Sequence, residues 1–149
     1  MLVDAGWPMD LALQKLGLDL QQPVEKMSAR ELDAAAAIEL GFEIRTSGLG
    51  LWIYKVLTGR YRWEHPTYPE LGRFRDVPPI TTEWKFLGLM HLRLWRYGIV
   101  KTSSEPDGAS VTVYSYRGPV IADEIGDRLL PVYAAALVAA ARWSETRKP

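Results

Sequence analysis

The sequence predicts a mixed α+β fold, in which three main helices pack with a mainly antiparallel sheet of about four strands. Two alanine-rich stretches, residues 28–40 and 130–143, each open on a helix-start signal. Between them, residues 81–97 read as a third and strongly apolar helix. Residues 42–46, 51–57, 99–103 and 111–117 have the alternation, or the β-branched and aromatic composition, of strands.

Near the amino end, leucines at 11, 13, 16, 18 and 20 fit a short helix interrupted by Gly17, or an apolar arm lying on the body or on a second subunit. Pro23 ends it. Ser28 and Glu31 then form a capping box, in which each side chain satisfies the other residue's backbone amide. The alanines that follow are the best helix formers, and Gly41 stands where a left-handed residue would close the helix. Leu32, Ala35, Ala36 and Glu39 line up on one face, whose small residues would let this helix sit close against a sheet. Residues 42–46 alternate apolar and charged, and the turn at 47–50 leads into 51–57, so an antiparallel hairpin is expected. Residues 59–79 hold four arginines and four prolines without a sustained period and read as a long surface loop, with 61–63 extending the strand.

Thr81 or Thr82 is placed to cap the next helix, Glu83 suits its positive end, and Gly98 is placed to stop it. Leu87, Met90, Leu94 and Tyr97 recur at helical spacing, while Trp84, Phe86, Leu89, Leu92 and Trp95 spread apolar surface around the circumference. Residues 99–103 and 111–117 form a second hairpin about Pro106, Asp107 and Gly108. Val111, Val113 and Ser115 fall on one face of it, and Thr112, Tyr114 and Tyr116 on the other. Gly118 and Pro119 break the strand, and residues 120–127 lead into the last helix. Pro131 lies in its first turn, where a missing amide costs nothing. Val132, Ala135, Ala136 and Ala139 give it a small-residue face, Arg142, Arg147 and Lys148 suit its negative end, and 144–149 form a tail.

A chain of 149 residues is most simply one domain, with 1–27 as an arm or short helix and 28–143 as the core. At this size it buries roughly 68% of its unfolded surface without a metal or disulfide staple. Cysteine is absent, which excludes disulfides and thiolate chemistry. No apolar run reaches the ~20 residues of a membrane span, and the start is acidic and broken by proline, so a cytoplasmic protein is expected. The net charge is zero but uneven. Residues 1–50 carry four Lys or Arg against eight Asp or Glu, whereas residues 51–101 carry nine against four.

No catalytic or metal-ligating pattern emerges. His65 and His91 fall in different elements with no zinc spacing around them, and His91 reads as a helix residue with its ring satisfied. Residues 47–50 lack the lysine of a phosphate loop. One constellation stands out: Arg60, Arg62, Arg73 and Arg75 bracket Tyr61, Trp63, His65 and Tyr68. Guanidinium groups grip phosphates bidentately and aromatic faces stack on bases, so the mixture suits a nucleotide or a single strand of nucleic acid. If residues 60–63 are extended, Arg60 and Arg62 share one face and Tyr61 and Trp63 the other. The competing readings are a protein-contact surface and a solvated arginine fringe.

Arg30, Glu31, Leu32, Asp33, Ala34 and Gly41, the helix start at Thr81, Thr82 and Glu83, the hairpin turn at Asp107 and Gly108, and the Leu130, Pro131, Ala134–Leu137 run together resemble the phage ABA sandwich family. The resemblance covers residues 28–143. It implies an α/β/α layered sandwich and a phage or prophage origin, and it carries over no catalytic or binding residue. The alternative arrangement is an α+β domain with helices on only one face of its sheet. The leading functional expectation is a non-enzymatic interaction protein of the host cytoplasm, acting on a host or phage protein. It would oligomerise through residues 1–27 or the small-residue helices. The alternative is a binder that sequesters an anionic nucleotide or short single strand, with no cofactor. For either, the candidate residues are Arg60, Arg62, Trp63, His65, Tyr68, Arg73 and Arg75.

Overall fold

Ser28 and Glu31 start helix α1 (Ala29–Leu40) as a reciprocal pair: Ser28 Oγ accepts the Glu31 amide at 3.1 Å, and Glu31 Oε1 accepts the Ser28 amide at 3.0 Å. Gly41 closes the helix at φ 102°, a conformation cheap only for glycine. The computed structural model describes residues 12–46, 55–56 and 58–146. Residues 12–15 form a helical turn and Gly17, at φ 76°, redirects the chain. Ala12, Leu13 and Leu18 then enter the core. This arm is tied to its own chain at both sides. Glu31 Oε2 accepts the Asp19 amide at 2.8 Å, and Arg142 Nη2 donates to Leu20 O at 2.7 Å. The backbone bonds from Ser28 and Asp19 hold the Glu31 carboxyl down at about 2.

The chain continues through β1 (Glu43–Arg45), β2 (Arg62–Glu64) and β3 (Arg73–Phe74), which form an antiparallel sheet in that order. The expected partner of β1 was the stretch 51–57. Residues 47–54 and 57, including the expected turn, lie outside the described residues, and Lys55 and Val56 are helical. The partner of β1 is β2, whose Arg62 and Trp63 lie in the stretch read as extending a strand and whose Glu64 lies in the expected loop. Strands of two or three residues are too short to display a period and exist only through their long-range pairing.

The helix expected over 81–97 begins later. Thr81 is buried and its amide donates to Asp33 Oδ1 at 2.7 Å, while Glu83 N donates to Pro79 O at 3.2 Å. Tight turns after the two prolines therefore occupy the segment that would have been the first helical turn. A 3-10 turn at Trp84–Phe86 precedes α2 (Leu87–Leu94), which buries Met90 and Leu94. Gly98 is no helix stop but the first residue of β4 (Gly98–Glu105). Its role is contact: a Cβ there would lie 1.9 Å from Tyr114 O on the next strand.

Strands β4, β5 (Gly108–Ser115) and β6 (Val120–Gly126) form a second antiparallel sheet in sequence order. Residues 120–126 are thus a strand, not the lead-in read from the sequence. Val111, Val113 and Ala122 face α3 (Leu129–Thr146), which packs on β5 and β6 and also against α1 and α2. Among the described residues, helix α1 packs against α3 and not against a sheet, and these two helices bury Ala34, Ala36 and Ala37 and Ala134, Ala136 and Ala140, while Ala35, Ala135 and Ala139 of the faces read from the sequence are half-buried. The mixed α+β class holds, with two sheets of three strands in place of one of about four. On the β4–β6 sheet the arrangement is the helices-on-one-face alternative. Among the described residues no helix covers its other face, where Ile99, Val120 and Ile125 are exposed. No described helix is long and apolar enough to cross a membrane.

Candidate functional site

Alternation on β1 and β2 turns Ile44 and Trp63 inward and leaves Arg45 and Arg62 exposed. The antiparallel register sets Arg45 directly opposite Arg62, and Arg75, next after β3, lines the same cavity as both. The result is a rung of arginines across the sheet. Like charges placed directly opposite one another disfavour the pairing, so this rung opposes the fold rather than supporting it.

The rung floors a cleft of about 640 Å³ lined by Arg45, Lys55, Arg60, Arg62, Arg73 and Arg75 with Tyr61 and Phe74. No carboxylate lines it among the described residues. Glu64 lines a neighbouring hollow with Arg45, Thr46, Arg62 and Arg73 and takes up two of the cations, at 3.3 Å from Arg73 Nε and 3.8 Å from Arg45 Nε. Arg45 also meets Glu43 at 3.0 Å. Arg60, Arg62 and Arg75 have no ion pair among the described residues, which leaves three guanidinium groups facing one cavity. Behind the cleft, Arg30 grips both oxygens of Asp76 at 2.8 and 3.3 Å. That hydrogen bond lowers the Asp76 carboxyl and raises Arg30, while burial raises the Tyr61 hydroxyl beside them. This pair anchors the segment after β3 to α1 and so fixes one wall.

Four of the seven residues expected from the sequence are therefore brought together: Arg60, Arg62, Arg73 and Arg75. The other three are not cleft residues. Trp63 is fully buried in the core. His65 is buried over the end of α1, with Nε2 at 2.8 Å from Leu40 O and Nδ1 accepting the Thr67 and Tyr68 amides at 3.1 and 3.2 Å. Two amides aimed at Nδ1 place the proton on Nε2, which donates to Leu40 O, so this imidazole serves as a helix cap and a turn former. Tyr68 packs against it at a tilt of 46°, centroids 4.9 Å apart. Only Trp63 is an inward strand residue; His65 and Tyr68 follow β2, and Tyr68 stays 41% exposed outside the cleft. Arg45 and Lys55 were missed because they lie outside the arginine-rich loop. Arg45 was legible on the exposed face of its strand, but only the register shows that it meets Arg62.

His91 is likewise internally satisfied. It accepts from Trp95 Nε1 at 2.8 Å on Nε2 and meets Tyr133 OH at 2.9 Å through Nδ1, as expected for a helix histidine. The cleft itself presents guanidinium, ammonium, phenol and phenyl groups, a set suited to gripping an anion. No family model matches the chain, and neither do the curated proteins or the solved structures. The resemblance to the phage ABA sandwich family rests on its motifs.

Proposed function

We propose that the chain binds a phosphorylated anion, a nucleotide or a short single strand of nucleic acid, in the cleft floored by the arginine rung, and acts by holding it rather than transforming it. The observation that carries this reading is the set of Arg60, Arg62 and Arg75, without an ion pair among the described residues, converging on one cavity with no carboxylate among its described lining residues. Bidentate guanidinium–phosphate contacts supply directional affinity there, and Tyr61 and Phe74 offer apolar walls to a ring. A role in a host cell infected by a phage, as the resemblance implies, agrees with sequestration, since intercepting a signal needs binding and no turnover. An acidic segment of a host or phage protein is the second occupant of this charge pattern, and it keeps the protein-partner expectation in view.

The test is a thermal-melt titration with ATP, a cyclic dinucleotide, oligothymidylate and polyglutamate, at low and physiological salt. A ligand at ~100 times its Kd stabilises the fold by ~2.7 kcal/mol, which reads as a shift of several degrees. A shift with a phosphorylated ligand that Arg62→Ala and Arg75→Ala abolish supports the reading. A response to polyglutamate alone transfers the cleft to a protein partner, and no response to any anion overturns anion binding.

A further inference from the structure

The outer face of the β4–β6 sheet has three rungs, set by the register. Ile99, Tyr114 and Val120 form the first, Lys101, Thr112 and Asp123 the second, and Ser103, Ser110 and Ile125 the third. Ile99, Val120 and Ile125 are 42%, 52% and 81% exposed, so apolar side chains flank a central charged rung. That rung has opposite charges at its two ends, and each is held in place. Lys101 Nζ lies 5.3 Å above the Tyr114 ring, and Asp123 Oδ1 accepts from Thr112 Oγ1 at 3.0 Å.

We propose that this face joins two copies of the chain about a two-fold axis parallel to the strands. Such an axis reverses the strand order of the second copy while keeping the rungs level. Lys101 then meets Asp123 of the second copy and Asp123 meets its Lys101, Ile99 meets Val120, and Tyr114 meets Tyr114. A two-fold axis across the strands would instead set Lys101 on Lys101 and Asp123 on Asp123, which like-charge repulsion disfavours. The charge pattern is therefore self-complementary in one orientation and not in the other. Aligned sheets pack ~10 Å apart at about −30°, which keeps the central rung in register where the charges lie. Three strands present a face of roughly 14 Å by 23 Å, a small interface, so the dimer forms with concentration rather than being obligate. The interface is independent of the arginine cleft, which belongs to the other sheet.

Charge exchange tests it. Lys101→Asp gives a face with acid at both ends, and Asp123→Lys gives one with base at both ends. Both positions are exposed, and circular dichroism checks that each variant is folded. In sedimentation equilibrium at physiological salt, where screening beyond ~8 Å suppresses net-charge attraction, the wild type moves toward twice the monomer mass as concentration rises. Each variant alone remains monomeric, and an equimolar mixture of the two recovers the dimer, because acid on one copy again faces base on the other. A wild type that stays monomeric throughout, single variants that associate as the wild type does, or a mixture no more associated than its components overturns the proposal.

Discussion

Replacing Arg62 with glutamine sets stability and binding against each other. Arg62 stands directly opposite Arg45, with Arg75 lining the same cavity. Their guanidinium groups can spread to roughly 7 Å, where two unit charges in water repel by ~0.6 kcal/mol. Glu43 and Glu64 partly offset the Arg45 charge, at 3.0 and 3.8 Å, and solvent screens the rest. The net relief is ~0.5 kcal/mol, inside the range for cross-strand pairs. In a chain of this size that raises Tm by about 1–2 °C, less at high salt. Binding should change in the other direction, with most of the stabilisation by ATP or oligothymidylate lost. Calorimetric melts of wild type and Arg62→Gln, with and without ligand, read both effects. A lower Tm without ligand would refute the reasoning, since it would mean that Arg62 supports the fold. Equal ligand stabilisation of both proteins would refute it from the other side.

Three further outcomes follow from the packing. Gly98→Ala places a methyl group 1.9 Å from Tyr114 O and should cost about 3 kcal/mol or more in urea unfolding, with β4–β5 amides losing exchange protection first. His65→Ala orphans Leu40 O and the amides of Thr67 and Tyr68 and should cost about 3 kcal/mol, while anion affinity per folded molecule stays unchanged. A stable His65→Ala protein that has lost binding would return the imidazole to the site. The Glu31 carboxyl, held near 2 against an ordinary 4.5, contributes stability fully present above about pH 4.5 and lost as pH falls toward 2. Urea midpoints between those limits should fall more steeply for the wild type than for Glu31→Gln.

The sequence was most legible where structure is local. The Ser28–Glu31 box, the left-handed Gly41, the proline in the first turn of α3 and the Pro106–Gly108 turn all act within a few residues, and each lies where its signal is. Long-range capture overrides such signals. Asp33 takes the Thr81 amide across 48 positions, and the helix expected at 81 starts later. β6 was hidden because Asp123 and Glu124 break the apolar alternation, and its assignment comes from pairing with β5. The site divides in the same way. The arginine alternation at 60 and 62, leading into β2, is a local pattern, whereas the inward turn of Trp63 and the meeting of Arg45 with Arg62 depend on which strand lies next.

The fully buried Trp63 has one further consequence. Its indole N–H finds no acceptor among the described residues, and it lies on β2 directly after Arg62. An indole in a dry environment without a hydrogen bond emits at shorter wavelength than solvated ones, and Trp84 and Trp95, 63% and 40% exposed, are of the solvated kind. With the other five tryptophans replaced by phenylalanine, the emission of Trp63 reports on the sheet beneath the cleft. The early opening of β1–β3, and the anion binding proposed above, can then be sought optically without an added label.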